Sequence, residues 1–116
     1  MPETFLKIVV SEQLPASALD LLRAEHWEVD ARTKRTDKQL SEDLKNATAL
    51  VVRSATKVTA SRIAAAPALR VIARAGTGVD NVDVQAASER GIVVMNAPGA
   101  NSVSVAELAM ALILSL

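Results

Sequence analysis

The chain has 116 residues, half of them apolar, with one Phe, one Trp, no Tyr and no Cys. Its 13 basic and 13 acidic residues balance, which excludes a net field that would attract nucleic acid or an anionic membrane. The lack of cysteine excludes disulfides, thiolate catalysis and cysteine–zinc sites. The length predicts one domain, and a core of Val, Ile, Leu and Ala is typical of helices packed on a parallel sheet.

Short apolar runs alternate with helical patterns in the first half of the chain. The predicted strands cover residues 6–10, 27–31 and 49–52. Pro15 suits the first turn of a helix between the first two strands, because its missing N–H costs nothing there. Thr36 and Gln39 form a capping-box pattern that opens the next helix. The residues expected to point inward from that helix are Leu40, Leu44 and Ala47.

The same alternation continues in the second half. Thr59 is expected to cap a short alanine-rich helix that ends near Pro67. Further strands are predicted over residues 69–73 and 92–95. Either Asp80 or Asn81 is expected to cap the helix between these strands, and Gly91 to end it. The apolar positions of that helix are Val84 and Ala87.

Five strands separated by helices imply right-handed crossovers and a parallel sheet covered on both faces. The predicted fold class is therefore α/β, with a flavodoxin-like three-layer arrangement. Its five-stranded parallel sheet is expected to have the strand order 2-1-3-4-5. The N-terminus has no basic region followed by an apolar run, so no signal peptide is predicted and a cytoplasmic location is expected.

The last segment, residues 103–116, is nearly all apolar and is predicted to be a helix. Ser104 and Glu107 have the spacing of a second capping box. A helix that is apolar all round must be buried, but this one is too short to span a membrane. The sequence then stops without a helix-ending signal. We expect a truncated piece of a longer protein, which could self-associate through residues 103–116.

Candidate binding residues follow the third and fourth predicted strands, whose carboxyl ends form the usual ligand edge of a parallel sheet. Arg53 and Ser54 follow the third strand, and Arg74 begins a glycine-containing turn after the fourth. Two arginines at adjacent strand ends suit a phosphate or carboxylate. Gly76 and Gly78 are expected to present bare N–H groups at positive φ. The pattern predicts a site for a ligand with two anionic groups, without a general base.

The glycine turn differs from a dinucleotide-binding fingerprint. Asn81 stands where that fingerprint has its third glycine, and Asn101 stands where it has an acidic residue. A purely structural explanation is also open, since arginines pair with carboxylates and glycines form tight turns. His26, the one histidine, is predicted to lie at a helix end, far from the ligand edge.

Three blocks of sequence, residues 51–59, 70–84 and 91–108, resemble the phosphoglycerate branch of the NAD-dependent D-isomer-specific 2-hydroxyacid dehydrogenases. The resemblance covers essentially the whole chain. It implies that residues 1–101 are the N-terminal part of a substrate-binding domain. Residues 102–116 would begin the crossover helix to a nucleotide-binding domain that is absent from this sequence.

The resemblance also assigns roles to individual residues. It implies that substrate is bound by Arg53, Ser54, Arg74, Ala75, Gly76 and Asn101. It places Thr77 near the cofactor, NAD, whose main site would lie beyond Leu116. It implies no metal and no catalytic residue in this chain, so the fragment alone is predicted to be inactive. The substrate would be a small anion of the 3-phosphoglycerate type, and the parent enzyme a homo-oligomer.

Other functions are less compatible with the sequence. A response-regulator receiver needs an aspartate where Arg53 stands, and a flavodoxin needs a hydroxyl-rich phosphate loop after the first strand. Two alternatives stay open. One is another 2-hydroxyacid dehydrogenase, and the other is a non-catalytic interaction module of the related corepressor type, against which Arg53 and Arg74 argue.

Overall fold

The computed structural model describes residues 6–23, 27–76, 78–96 and 102–115. The strands are Lys7–Val10 (β1), Glu28–Asp30 (β2), Ala49–Val52 (β3), Val71–Arg74 (β4) and Val93–Asn96 (β5). The helices are Ala16–Arg23 (α1), Asp37–Leu44 (α2), Ala60–Ala64 (α3), Val84–Glu89 (α4) and Ser102–Leu114 (α5). The bounds of β3 are as predicted, and those of the other strands differ from the predicted ones by one or two residues.

The strands form one parallel sheet in the order β2-β1-β3-β4-β5. This confirms the predicted flavodoxin-like topology. Val52 of β3 pairs with Arg74 of β4, and Arg74 in turn pairs with Asn96 of β5. The last residues of three neighbouring strands therefore lie side by side at the carboxyl edge.

Two apolar cores, one on each face of the sheet, hold the three layers together. The face covered by α1 and α5 buries Ile8, Val10, Ala18, Leu22, Val51, Val71, Ala73, Ala106, Ala109 and Ile113. The face covered by α2, α3 and α4 buries Val9, Leu40, Leu44, Leu50, Val52, Ile63, Ile72 and Ala87. Each fully buried Leu or Ile contributes roughly 2 kcal/mol of hydrophobic stabilisation. Because the chain has only one Phe, one Trp and no Tyr, aliphatic side chains fill the space between the helices and the sheet.

Most of the predicted helix ends are confirmed. Thr36 and Gln39 form both hydrogen bonds of the capping box at α2. Thr59 caps α3 by accepting the N–H of Arg62. Gly91 ends α4 at φ 70°, where a side chain would be strained, and the N–H groups of Gly91 and Ile92 close the last turn.

Two predicted caps are wrong. The N-cap of α4 is Asp83, whose carboxylate accepts the N–H of Ala86, and neither Asp80 nor Asn81 serves there. Ala87 is buried as predicted, whereas Val84 is 38% exposed at the first position of the helix. The second error concerns Ser104, which lies inside α5 because that helix already begins at Ser102.

Helix α5 packs against α1 and β4 along one side. Its buried residues are Ala106, Ala109 and Ile113. Leu108 and Leu114 of the same helix are exposed, so this chain by itself covers only part of the apolar surface of α5. None of the helices in the described part of the chain is long and apolar enough to cross a membrane.

A group of charged side chains fastens the edge strand β2 to α2. The guanidinium of Arg35 is 4% exposed and pairs with the carboxylates of Asp30 and Asp43. It also donates to the carbonyl oxygen of Val10 at the end of β1. The side-chain hydrogen bond from Arg32 is the main cause that lowers the pKa of Asp30 to about 2. These contacts fix the segment that precedes α2.

The depressed pKa predicts how Asp30 affects acid stability. Because the folded-state pKa lies below the ordinary value of 3.8, the ionised carboxylate stabilises the fold above about pH 4. That contribution is lost as the pH falls through about 2. The free energy of unfolding, measured by urea denaturation from pH 7 to pH 2, should therefore fall less steeply in Asp30→Asn. The control is Asp20→Asn on the exposed side of α1, and equal pH slopes in all three proteins would contradict the prediction.

Candidate functional site

Two loops leave neighbouring strands at the carboxyl edge of the sheet. Residues 53–56 follow β3 and are called the arginine loop here. Residues 75–80 follow β4 and are called the glycine loop, within which Thr77 lies outside the described residues. Because β3 and β4 are paired to their last residues, the two loops start side by side. These are the positions predicted to bind substrate.

Glu12, which follows β1, holds the N–H side of the arginine loop. Its carboxylate accepts the backbone N–H groups of Arg53 at 2.6 Å, Ala55 at 3.1 Å and Thr56 at 3.1 Å. Partial burial raises the pKa of Glu12, but hydrogen bonds from these three N–H groups outweigh it and place the pKa below its ordinary value. The carboxylate is thus ionised at neutral pH and is saturated by main-chain donors.

Asn81 holds the carbonyl side of the same loop. Its side chain is buried, and Nδ2 donates to the carbonyl oxygens of Arg53 and Thr56, each at 2.7 Å. Its Oδ1 is buried without a hydrogen-bond partner among the described residues. Asn81 follows the glycine loop, so these two bonds tie the end of one loop to the backbone of the other.

A short parallel bridge reinforces this connection. Val58 and Val82 pair outside the main sheet. The N–H of Val58 donates to the carbonyl of Asn81 at 2.8 Å, and the N–H of Asp83 donates to the carbonyl of Val58 at 2.9 Å. Both valines are buried in the core beneath the loops. The bridge therefore anchors both loops to the body of the fold.

Arg53 and Ser54 are exposed on the arginine loop. The guanidinium of Arg53 lies toward the segment before α1, where Nη1 is 3.5 Å from the carbonyl oxygen of Gln13. That distance is at the limit of a hydrogen bond. The side chain of Arg53 is therefore weakly held, while its backbone is held on both sides.

Arg74 has a different environment, because its side chain is buried beneath the glycine loop. Nη1 donates to Oδ1 of Asp80 at 2.5 Å. Nε is buried and has no hydrogen-bond partner in the described residues. A Cβ added to Gly76 or Gly78 would lie 3.9 Å from Nε or 3.7 Å from Nη1, respectively. The hydrogen bond from Arg74 is the main cause that lowers the pKa of Asp80.

The predicted convergence of two guanidinium groups is therefore not found. Arg53 lies toward Gln13 and Arg74 toward Asp80, and in the part of the chain described here they share no hydrogen-bond partner. The prediction placed both side chains from the positions of strand ends alone. Those positions are right, but a buried guanidinium needs a nearby carboxylate, and Asp80 supplies it.

The expectation of bare N–H groups in the glycine loop is wrong at two positions. The N–H of Ala75 donates to the carbonyl of Val52 at 2.9 Å, and that of Gly76 donates to the carbonyl of Arg74 at 3.1 Å. Gly78 has the predicted positive φ, 76°, whereas Gly76 does not. The predicted roles of Thr77 and Asn101 lie outside the described residues, as does His26.

A cavity of about 370 Å³ lies beside the arginine loop, where β1 and β3 end. Its walls include Ser11, Glu12, Thr56, Lys57 and Arg62. The hydroxyl groups of Ser11 and Thr56 are 2.8 Å apart and hydrogen bonded. Neither of the two predicted binding arginines lines this cavity. The predicted site is instead an open edge formed by the loop surfaces.

The glycine loop does not fit a dinucleotide pyrophosphate. Such a site needs a helix whose first-turn N–H groups face the phosphates. Here α4 has six residues, and the Asp83 carboxylate already accepts an N–H of its first turn. Asp80 places a second carboxylate in the loop itself. Among the described residues, these carboxylates leave the glycine loop without the free first-turn N–H groups that such a site uses.

The two loops place polar side chains at the open carboxyl edge of the sheet. The exposed groups of the arginine loop are a guanidinium, on Arg53, and a hydroxyl, on Ser54. The carboxylates nearest the loops, Glu12 and Asp80, are both engaged as hydrogen-bond acceptors. A guanidinium and a hydroxyl at this edge suit recognition by charge and shape.

Two residues of the site were missed in the sequence. No binding role was predicted for Glu12, and Asn81 was expected only as a possible helix cap. A usable signal was the predicted strand order, because it makes β1 the neighbour of β3 and so places Glu12 beside the arginine loop. The sequence contains no comparable signal for Asn81, whose partners are backbone carbonyls.

Comparison with known proteins shows which family the chain matches. Residues 8–111 match the model for "D-isomer specific 2-hydroxyacid dehydrogenase, catalytic domain". The chain is 52% identical over 110 residues to a D-3-phosphoglycerate dehydrogenase of Methanocaldococcus jannaschii, covering 95% of this chain and 21% of that protein. It is 48% identical to a hydroxypyruvate reductase of Thermotoga maritima, covering 94% of this chain and 36% of that protein. It thus spans well under half of these relatives.

A solved structure agrees with the sequence comparison. The NAD⁺-bound 3-phosphoglycerate dehydrogenase of Entamoeba histolytica superposes with a TM-score of 0.75 at 33% identity. The match covers 95% of this chain and 38% of that one. The topology and the layering described above are therefore those of this family.

The two hydrogen bonds of the buried Asn81 side chain predict that it stabilises the fold by holding the arginine loop. Asn81→Ala should lower the free energy of unfolding by about 2 kcal/mol, because two carbonyl oxygens lose a buried donor. Urea denaturation measures this loss. Asn46→Ala is the matched control, since Asn46 is exposed and its side chain bonds to Lys7 at the surface. A loss no larger than that of the control would contradict the assigned role.

Proposed function

The chain belongs to the D-isomer specific 2-hydroxyacid dehydrogenase family, and on that premise we propose that it supplies the substrate-recognising part of a D-3-phosphoglycerate dehydrogenase. The whole enzyme would oxidise 3-phospho-D-glycerate to 3-phosphohydroxypyruvate, the first step of serine biosynthesis, in the cytoplasm. Relatives that carry the D-3-phosphoglycerate dehydrogenase name are 43% to 52% identical to this chain. This chain would contribute binding and orientation, not the chemical step.

The observation that carries the proposal is the backbone clamp on the arginine loop. Glu12 holds its N–H groups and Asn81 holds its carbonyls, so Arg53 and Ser54 are presented at a defined edge. A guanidinium and a hydroxyl presented in this way suit a phosphate or carboxylate oxygen. Orientation of a charged substrate accelerates a reaction because the entropy of positioning is lost on binding.

We also propose that Arg74 serves the second anionic group of the substrate. Its Nε is a buried donor without a partner among the described residues, and an unpaired buried donor is costly. A ligand oxygen at the glycine loop would satisfy it after a local movement of that loop. Ala75, Gly76 and Asn101 are proposed to border the same ligand, and Thr77 to lie near the cofactor.

NAD is proposed as the cofactor of the whole enzyme, by analogy with the NAD⁺-bound relative. The glycine loop does not fit its pyrophosphate, so we place the cofactor on residues other than those described here. The catalytic acid–base groups are placed there as well. The proposed role of this chain is therefore limited to holding the substrate in the orientation that the reaction needs.

A second candidate is a hydroxypyruvate reductase. It is favoured by the 48% identity to the Thermotoga maritima protein of that name. Its substrate carries one anionic group in place of two. The two candidates therefore differ in whether a phosphate is recognised.

Titration of the chain with 3-phosphoglycerate and with D-glycerate distinguishes the two candidates. If a phosphate is recognised, 3-phosphoglycerate should bind about tenfold more tightly, because one charge-assisted hydrogen bond is worth at least 1.5 kcal/mol. Backbone amide shifts in NMR spectra measure both affinities and locate the ligand. Equal affinities would favour the reductase, and shifts away from both loops would contradict either function.

Arg53→Ala should weaken 3-phosphoglycerate binding about tenfold, since a charged donor at the loop surface is lost. In an enzyme that joins this domain to its cofactor domain, KM should rise while kcat changes little. Arg23→Ala is the matched control, because Arg23 is exposed at the end of α1. Unchanged affinity and unchanged KM would remove Arg53 from the site.

A further inference from the structure

The carboxylate of Glu12 holds the arginine loop chiefly through backbone N–H groups, those of Arg53, Ala55 and Thr56. We propose that Glu12 is a positioning residue for substrate, whose carboxylate imposes the conformation in which Arg53 and Ser54 can bind an anion. This inference rests on the proposed function. It assigns to Glu12 a role that its position after β1, in a different segment of the chain, does not suggest.

The Glu12 carboxylate accepts three backbone N–H groups that point toward it, as they would toward a bound anion. Oε2 accepts the N–H groups of Arg53 and Thr56, and Oε1 accepts that of Ala55. Successive N–H groups that converge on one point form a concave site for an anion. In this protein the concavity is filled by its own carboxylate. A ligand anion would therefore be bound by side chains on the outer surface of the loop and not by these N–H groups.

The arrangement depends on a carboxylate and not merely on a polar group. An ionised Glu offers two acceptor oxygens, whereas Gln offers one acceptor and one NH₂ donor. The NH₂ group of Gln would face a backbone N–H that now has an oxygen partner. Three main-chain donors therefore select Glu over Gln at this position.

The Glu12 carboxylate cannot favour binding by attracting the ligand, because both are negatively charged. A negative charge beside Arg53 opposes the binding of an anion in Coulomb terms. Its benefit must come through the loop conformation. The hydrogen bonds also restrain Ser54, which lies between residues that Glu12 holds on either side.

A merely structural role would predict a loss of stability without a specific effect on binding. Glu12 lies at the surface edge and not within either apolar core, so its replacement should leave the folded state intact. The two roles can therefore be separated by comparing stability with ligand affinity in the same variants.

The test compares Glu12→Gln, Glu12→Ala and Glu12→Asp with the control Glu42→Gln, a surface residue of α2 that pairs with Lys45. The ligand is 3-phosphoglycerate, and amide NMR shifts give its affinity. We expect about tenfold weaker binding in Glu12→Gln and Glu12→Ala, in variants that stay folded but lose some urea stability, because three N–H groups lose a charged acceptor. Glu12→Asp should keep part of the affinity, because its carboxylate can still accept from the loop.

Chemical rescue makes the test specific. Formate added to Glu12→Ala can occupy the vacated ring of N–H groups and should restore most of the affinity for 3-phosphoglycerate in a saturable manner. It should not rescue Glu12→Gln, whose side chain still fills the space. In the wild-type chain, formate should weaken binding by competition or leave it unchanged. A structural defect elsewhere would not respond to formate in this pattern.

The outcomes separate the inference from the proposed function. If the wild-type chain binds 3-phosphoglycerate and the Glu12 variants bind it equally well, the inference fails and the proposed function stands. Loss of affinity without rescue of Glu12→Ala by formate also overturns the inference. If the wild-type chain binds neither 3-phosphoglycerate nor D-glycerate, the proposed function fails and the inference fails with it.

Discussion

The structure of the candidate site depends on how two loops are joined at the carboxyl edge of a parallel sheet. Strand pairing brings β3 and β4 to the same edge, but it does not determine the paths of the chain beyond them. Asn81 and the Val58–Val82 bridge do so, because they bond the end of the glycine loop to the backbone of the arginine loop. Burial of the amide and the valines protects these bonds from competition by water.

Burial of Arg74 sets a second constraint on the same edge. A guanidinium inserted under a loop must find a carboxylate, and Asp80 meets that need from within the loop. The Arg74–Asp80 ion pair therefore restrains the conformation of the glycine loop, as does the positive φ of Gly78. Any ligand at this loop encounters an arginine that already has a partner, in contrast to the more weakly held side chain of Arg53.

The sequence predicted the backbone better than the side chains. Apolar periodicity, the caps at Thr36 and Thr59 and the glycine end at Gly91 act locally, so they predicted five strands and three of the helix ends correctly. The N-cap of α4 was misplaced because Asp80, Asn81 and Asp83 are all good caps. The directions of Arg53 and Arg74 depend on Gln13 and Asp80, and such contacts are decided only when the loops are folded.

Glu12 and Asn81 share one property that affects how such a domain can evolve. Both residues bind peptide groups of the arginine loop, and neither is hydrogen bonded to the side chain of Arg53 or Ser54. Replacing Ser54 would therefore change a side chain presented at this edge while the backbone contacts that hold the loop stay in place. In such a domain, the side chains that face a ligand can change during evolution while the residues that hold the loop backbone are kept. Such changes are compatible with a family whose members have different names, among them D-3-phosphoglycerate dehydrogenase and hydroxypyruvate reductase.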